Sequence, residues 1–166
     1  MKLVDFYRGE VRSDGGYLID EILQWGPDEW ESSHEEIQWV FPTVQQSIFN
    51  PDAPTLTEEE ITLFKNIPEL KEKFQQVCET FLGVFGLRKA GDGGWMWRND
   101  LDYDPKWWFR KFNHNYLRMT RVMDCLFKMG KDSEAFNLFL LLCNDKEGDV
   151  SPDTKKHWKD AALGKK

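Results

Sequence analysis

Long apolar runs are missing from this sequence of 166 residues. A helix that spans a bilayer needs roughly 20 consecutive apolar residues, and the apolar stretch FLLLC at 139–143 is far shorter. The amino-terminal MKLVDFYRGE also has no apolar core of the kind found in a secretion signal. We therefore predict no membrane span and no export, and we expect the protein to be cytoplasmic.

Closely spaced metal ligands are missing as well. The three cysteines are isolated, and no CxxC pair of the kind that binds structural zinc is present. The three histidines are scattered and form no HExxH motif. Free buried thiols in a reducing compartment are the expected state of cysteines in such apolar segments. The sequence predicts no metal and no cofactor.

Sequence motifs of catalysis are equally scarce. No GxSxG element is present, and the glycines of GDGGW at 91–95 are not followed by the Lys-Ser/Thr of a phosphate loop. DLDYDPK at 100–106 begins like a calcium loop, but Pro105 and Lys111 stand where that loop requires glycine and glutamate. The prediction is that the protein is not an enzyme.

Basic residues are absent from 13–64, a segment that holds 12 acids. Residues 1–86 carry 17 acids and 6 bases, whereas residues 87–166 carry 12 acids and 16 bases. A protein that binds nucleic acid directly normally presents a strong basic patch, which this chain lacks. The acidic half is expected either to dock on the basic half or to present an acidic face to a partner protein. The predicted members of this face are Glu35, Glu36, Glu58, Glu59 and Glu60.

Helical patterns run through most of the chain. S-x-x-E at 33–36 and T-x-x-E at 57–60 are capping boxes, and Asp14 is a candidate cap for a helix at 15–25. Pro68 and Pro152 stand where helices begin. The helix after Pro68 is predicted to carry an apolar stripe at Leu70, Phe74, Val77 and Phe81. The apolar residues of 132–143 predict a central buried helix, and Trp-rich 88–108 predicts an irregular insertion. We predict an all-α single domain over 1–166, an irregular bundle of about six to seven helices that ends in a short helix within 145–166.

The segment FNHNYLRMTR at 112–121 opens a predicted helix over about 107–129. At 100° per residue its core stripe holds Phe112, Tyr116, Met119, Met123, Leu126 and Phe127. His114, Arg118 and Arg121 share the other face with Cys125, a residue type that is usually buried. A buried arginine needs a carboxylate partner. Candidate partners in the acidic half include Asp20, Glu21, Glu35 and Glu36.

Two interpretations of this face remain open. In one, His114, Arg118 and Arg121 form a structural ion network. In the other, one guanidinium binds a carboxylate or phosphate in a bidentate manner. In the second case the partner-binding residues are Trp39, His114, Tyr116, Arg118 and Arg121.

Three ordered blocks carry a resemblance to a known family. FYRGEVRSDGGYLIDEIL, HEEIQWVFP and HNYLRMTRVMDCL stand in that order in the sequence. The chain resembles the conserved domain of the opioid growth factor receptor family from about residue 5 to 144, and more weakly over VSPDTKKHWKDAA at 150–162. The short chain suggests a stand-alone microbial or viral member, and 88–108 departs from the family pattern.

The resemblance implies a non-enzymatic binding module for a peptide or protein partner, with no membrane involved. Family membership alone leaves the chemistry open, because function depends on particular sites. The alternative is an acidic effector or inhibitor, such as a viral protein, that occupies a basic surface of a host protein through residues 13–64.

Overall fold

A computed structural model of the protein describes residues 1–110, 114–148 and 150–165. These residues are mostly helical, which confirms the all-α prediction. The described helices are α1 (Lys2–Tyr7), α2 (Ile19–Ile22), α3 (Pro27–Ser32), α4 (Glu36–Val40), α5 (Glu58–Asn66), α6 (Pro68–Val84), α7 (Asn115–Lys128), α8 (Asp132–Asn144) and α9 (Pro152–Ala162). The described strands are β1 (Leu87–Lys89) and β2 (Trp95–Trp97).

The chain divides into two compact units, residues 1–81 and residues 82–166, with the boundary inside α6. The first unit holds α1 to α5 and most of α6. The second holds the two strands and α7 to α9. The prediction of a single domain over 1–166 stays a prediction.

Aromatic side chains fill the core of the first unit. Trp30 packs edge-on against Phe81, with ring centroids 4.8 Å apart, and Phe41 contacts the same ring at 5.0 Å. Tyr7 contacts Phe64 at 4.8 Å. Edge-to-face aromatic pairs at this spacing add to the stabilisation gained from burying apolar area. The predicted apolar stripe of α6 is buried in this core at Leu70, Phe74, Val77 and Phe81.

The predicted capping box of α5 is present. The hydroxyl of Thr57 accepts from the backbone N–H of Glu60, and a Glu60 carboxylate oxygen accepts from the backbone N–H of Thr57, both at 3.1 Å. Pro68 and Pro152 are the first residues of α6 and α9, as predicted. Ser151 caps α9 by accepting from the backbone N–H of Thr154.

The beginning of the first unit differs from the sequence prediction. The helix expected over 15–25 is reduced to α2, because residues 13–17 form a tight turn in which Gly16 has φ +88°. Asp14 does not cap a helix and instead accepts a hydrogen bond from the indole of Trp39. Pro27 is the first residue of α3, a position where its missing N–H costs nothing.

The second unit contains an antiparallel hairpin that the sequence analysis missed. Leu87 pairs with Trp97 and Lys89 with Trp95. The Trp-rich segment is therefore ordered rather than irregular at its start. Trp108 is fully buried, and its indole donates to the carbonyl of Phe85 at 2.7 Å.

The two long helices of the second unit also depart from prediction. Helix α7 begins at Asn115 rather than near 107, because residues 105–108 form a turn; Phe112 lies outside the described residues. Helix α8 was predicted to be buried all round, yet only Ala135, Leu138 and Leu142 are buried, and Phe136 and Leu140 are exposed. None of the helices in the described ranges is both long and apolar enough to cross a membrane.

Candidate functional site

The arginine-bearing face of α7 is covered rather than open. Arg118 is only 4% exposed, and its guanidinium donates to the side-chain oxygen of Asn115 at 3.1 Å. Asn115 is itself fully buried. Tyr116 is buried against Trp158, with ring centroids 5.4 Å apart, and the indole of Trp158 donates to the backbone carbonyl of Tyr116 at 2.9 Å. These contacts hold α9 against the first turns of α7.

The other residues of this face, Cys125, Arg121 and His114, range from buried to exposed. Burial holds the pKa of Arg121 below its ordinary value, although Cys125 and Asp124 act in the opposite direction. Burial also raises the pKa of the Cys125 thiol far above its ordinary value, so this cysteine is an unreactive thiol. His114 precedes α7 and is exposed. Arg118 and Cys125 are therefore both buried, although they lie on the face of α7 opposite its core stripe.

Trp39, the fifth residue of the predicted site, is part of the core of the first unit. It is 1% exposed, and its indole N–H donates to Asp14 at 3.2 Å. Its ring contacts Phe6 at 5.2 Å. The other four predicted residues lie together at one end of α7 in the second unit. A partner-binding role for the five stays a prediction, and the burial of Trp39, Tyr116 and Arg118 favours the structural alternative.

Three of the four acids that were expected to pair with these arginines have partners within the first unit. Asp20 forms an ion pair with Lys73, and Glu21 pairs with Arg12 at 2.9 Å. The carboxylate of Glu36 accepts from the hydroxyls of Ser13 and Ser33, at 3.3 and 2.6 Å.

Two members of the predicted acidic face are buried. Glu36 is 5% exposed and Glu60 is 3% exposed. Each is held by hydrogen-bond donors near it in the fold; Glu60 accepts from the backbone N–H groups of Leu3 and Thr57. The prediction for Glu36 and Glu60 was wrong, because it did not allow for carboxylates that satisfy local donors. Glu35, Glu58 and Glu59 are exposed, as an acidic face requires.

The most exposed large apolar side chains of the described residues are neighbours in the loop between α4 and α5. Ile48 is 87% exposed and Phe49 is 88% exposed. We call this pair the apolar tip. It lies in the segment without bases, and the sequence analysis did not single it out. Its sequence signal is a pair of large apolar residues inside a loop that is otherwise rich in Gln, Ser, Asn and Pro.

Side-chain hydrogen bonds hold the loop beneath the apolar tip. The hydroxyl of Ser47 accepts from the backbone N–H groups of Phe49 and Asn50, at 3.3 and 3.2 Å. The amide of Asn50 donates to Gln38 of α4 at 2.8 Å. Gln46 donates to the carbonyls of Pro51 and Ala53. The loop is therefore tied to a helix and to itself, and it presents the two apolar side chains outward.

No group of three or more His, Cys, Asp or Glu side chains is arranged for a metal ion within the described ranges. In the segment that resembles a calcium loop, Asp100 instead accepts two hydrogen bonds of 2.9 Å from Arg98. These bonds lower the pKa of Asp100 to about 2. Because the charge of Asp100 is already paired with Arg98, Asp100 is a poor ligand for a cation.

The described residues form a mostly helical protein. Its first unit is rich in acidic residues, and Arg118 on α7 of the second unit is buried. The conserved region of the opioid growth factor receptor matches residues 1–160, and the chain belongs to this family. The match includes most of the segment 150–162, over which the sequence resemblance is weaker.

Relatives of this chain are named opioid growth factor receptor or opioid growth factor receptor-like protein 1. The chain is 33% identical over 134 residues to the opioid growth factor receptor of Homo sapiens, an alignment that covers 76% of this chain and 19% of that protein. It is 32% identical over 142 residues to opioid growth factor receptor-like protein 1 of Mus musculus, covering 77% of this chain and 28% of the relative. The alignments thus span 19% to 28% of the length of these relatives. No solved structure matches it.

Proposed function

We propose that this chain is a non-enzymatic binding module that recognises a protein partner through its first unit. The observation that carries the proposal is the apolar tip, with Ile48 and Phe49 almost fully exposed. Large apolar side chains that are exposed together are typical of interaction sites. The relatives that are named receptors support a binding role in general terms.

The loop that carries the apolar tip suits it for binding. Because Ser47, Asn50 and Gln38 already fix its conformation, little conformational entropy is lost when a partner covers the two side chains. A phenylalanine that enters an apolar pocket buries a large area. The tip is therefore proposed as the anchor of the interface.

The acidic charge of the first unit indicates which type of residue borders the partner's pocket. The segment 13–64 has 12 acids and no Lys or Arg, and Glu35, Glu58 and Glu59 are exposed within it. The proposed partner is a protein with an apolar pocket bordered by basic residues. The same charge pattern supports the second candidate, an acidic effector that occupies a basic surface. The two differ in whether the apolar tip or the charge supplies most of the affinity.

Affinity capture from a lysate of the native host tests the proposal. Wild type is compared with an Ile48→Ser/Phe49→Ser variant, and captured proteins are quantified by mass spectrometry. Leu117→Ser is the matched control, because Leu117 is 69% exposed but lies on α7. We expect a partner that wild type and Leu117→Ser capture and the tip variant loses. Equal capture by wild type and the tip variant contradicts the proposal.

An acidic effector gives a different pattern. The exchange Glu58→Lys/Glu59→Lys then abolishes capture while the tip variant retains it, and capture weakens steeply as salt rises. Each variant is first checked by thermal melting so that loss of capture is not loss of fold.

A further inference from the structure

A second surface of the first unit has the features of a ligand site. An open cleft of about 450 Å³ lies among residues of the 15–36 segment. Two aromatic side chains, Tyr17 and Trp25, line it together with three carboxylates, those of Glu29, Glu35 and Glu36. His34 also lines it. The volume is large enough for one long amino-acid side chain and the backbone beside it.

The buried carboxylate of Glu36 is the central feature of the cleft. It is 95% removed from solvent, since its exposed fraction is 5%. Its two oxygens accept from the neutral hydroxyls of Ser13 and Ser33. An ionised carboxylate has about four acceptor positions, and a buried one is stabilised most by an opposite charge. The two hydroxyls satisfy part of this capacity and supply no positive charge.

No lysine or arginine stands among the residues that line the cleft. Within the described part of the chain, none of the ion pairs involves Glu29, Glu35 or Glu36. The nearest bases in the sequence are Arg12 and Lys65, and Arg12 already pairs with Glu21. Among the residues that the structure describes, these three carboxylates therefore bring negative charge to the cleft without an ion pair to a lysine or arginine.

The aromatic side chains are held in place around this charge. The rings of Tyr17 and Trp25 meet edge-on with centroids 5.1 Å apart, and Trp25 in turn meets the buried Trp30 at 5.1 Å. Tyr17 is exposed and Trp25 is half-buried, so part of each side chain is open to a ligand. A cation gains from contact with the face of Trp or Tyr as well as from a carboxylate.

We propose that this cleft binds a positively charged side chain of a peptide, a lysine ammonium or an arginine guanidinium. Glu36 supplies the buried counter-charge, Glu29 and Glu35 attract the cation at the rim, and Tyr17 and Trp25 contact its aliphatic stem and charged end. The inference is separate from the proposed role of the apolar tip. It concerns other residues and another ligand chemistry, so either can fail alone.

The test uses blocked pentapeptides, acetylated and amidated, that differ only in a central lysine, arginine or norleucine. Binding is followed by two-dimensional NMR of the tryptophan indole N–H groups, with the Trp25 signal assigned by its loss in Trp25→Leu. We expect saturable shifts of the Trp25 signal with the lysine peptide, the arginine peptide or both. The stronger of the two identifies the source of the charge. The norleucine peptide, which keeps the stem and lacks the charge, is expected to give no saturable shift.

Variants assign the interaction to the cleft. Glu36→Gln keeps the shape of the side chain and removes its charge, and we expect it to weaken binding about ten-fold or more. Glu58→Gln, an exposed acid that does not line the cleft, is the matched control and is expected to bind as wild type does. If Glu36→Gln does not fold, Glu29→Gln/Glu35→Gln takes its place. Both of these side chains are exposed, and the double variant is expected to weaken binding at low salt.

Three results overturn the inference. One is that neither charged peptide gives a saturable shift up to about 10 mM, which is the range of the weakest specific binding. Another is that the norleucine peptide binds as tightly as the charged ones. The third is that the carboxylate variants and Glu58→Gln all bind with wild-type affinity.

Discussion

The carboxylate of Glu36 occupies the space beside Gly15 in which any other residue would place its Cβ. Gly15 and Glu36 are far apart in the sequence, and the sequence patterns predict that they belong to two separate helices. Their contact fixes the turn at 13–17 against the start of α4, and Ser13 of the same turn donates to the Glu36 carboxylate. Gly15 does not have a positive φ, so backbone conformation does not require a glycine here. A glycine is required because a Cβ would overlap the Glu36 carboxylate.

The first prediction follows from this contact. Gly15→Ala forces the Glu36 carboxylate out of its position, and we expect the free energy of unfolding to fall by about 1–3 kcal/mol, as in other overpacked sites. Chemical denaturation measures this. Gly91→Ala is the control, because a Cβ there meets nothing within 4 Å, and its effect is expected to stay within about 0.5 kcal/mol. Equal effects of the two exchanges contradict the account of Gly15.

Charge reversal at two neighbouring glutamates of α5 is predicted to have very different effects. Glu60 is buried and accepts from the backbone N–H groups of Leu3 and Thr57. Glu60→Lys buries an unpaired charge and leaves these donors unsatisfied, so we expect a loss of about 3–5 kcal/mol. Glu58→Lys removes only a favourable charge at the exposed helix start, worth about 0.3–1 kcal/mol. Melting curves of the two variants compare them directly. Similar melting temperatures contradict the assignment of Glu60 to the core.

Arg118→Ala is predicted to act on stability. It removes a donor from the buried side chain of Asn115 and opens space beneath α7, and the expected cost is about 1–3 kcal/mol. Arg88→Ala, at an exposed position of β1, is the matched control and is expected to cost less than about 0.5 kcal/mol. Thermal melting that is unchanged in Arg118→Ala means that the guanidinium is not needed for the fold.

The ion pair of Lys106 and Asp145 predicts a dependence of stability on pH. Burial is the strongest single influence and acts to raise the pKa of Asp145. The hydrogen bond of 2.8 Å from Lys106, the backbone N–H of Glu147 and the charge of Lys106 together outweigh it, so the pKa lies below its ordinary value. The unfolded chain therefore binds this proton first. Stability from the pair is present above the ordinary aspartate pKa of about 3.9 and is lost as pH falls through the folded value.

Lys106→Met is expected to reduce this dependence, since Asp145 still accepts from the backbone N–H of Glu147 in the variant. In the variant, the decline of unfolding free energy between about pH 5 and pH 2 becomes shallower. At alkaline pH the sign is the opposite. Burial acts to lower the pKa of Lys106, but its bonds to Asp145 and Glu147 raise it overall. The wild-type contribution is therefore lost only as pH rises above about 10. Denaturation at a series of pH values measures both limbs. Lys146→Met, at an exposed neighbour, is the control and is expected to follow wild type.

Local signals in the sequence predicted the features that depend on neighbours along the chain. Thr57 and Glu60 form their capping box, Pro68 and Pro152 begin helices, and the apolar stripe of α6 is buried. Each of these depends on hydrogen bonds or spacing within one element. The family could also be recognised from three short blocks.

Features that depend on distant contacts were missed. The hairpin has strands of three residues, too short for an alternating pattern to be detected. Asp14 has the residue type of a helix cap but binds Trp39, and Glu36 has the charge of a surface residue but lies against Gly15. The cleft is lined by residues of α3, α4 and the turn before α2, so no sequence pattern within one segment predicts it.

The central claim is that partner binding occurs through the apolar tip of the first unit and not through the arginines of α7. Its most direct test is the dissociation constant of the captured, purified partner, measured by calorimetry below the melting temperature of every variant. We predict that Ile48→Ser/Phe49→Ser weakens binding at least ten-fold and that Arg118→Ala stays within about two-fold of wild type. Wild-type affinity in the tip variant, with affinity lost in a folded Arg118→Ala, contradicts the account and places recognition on α7.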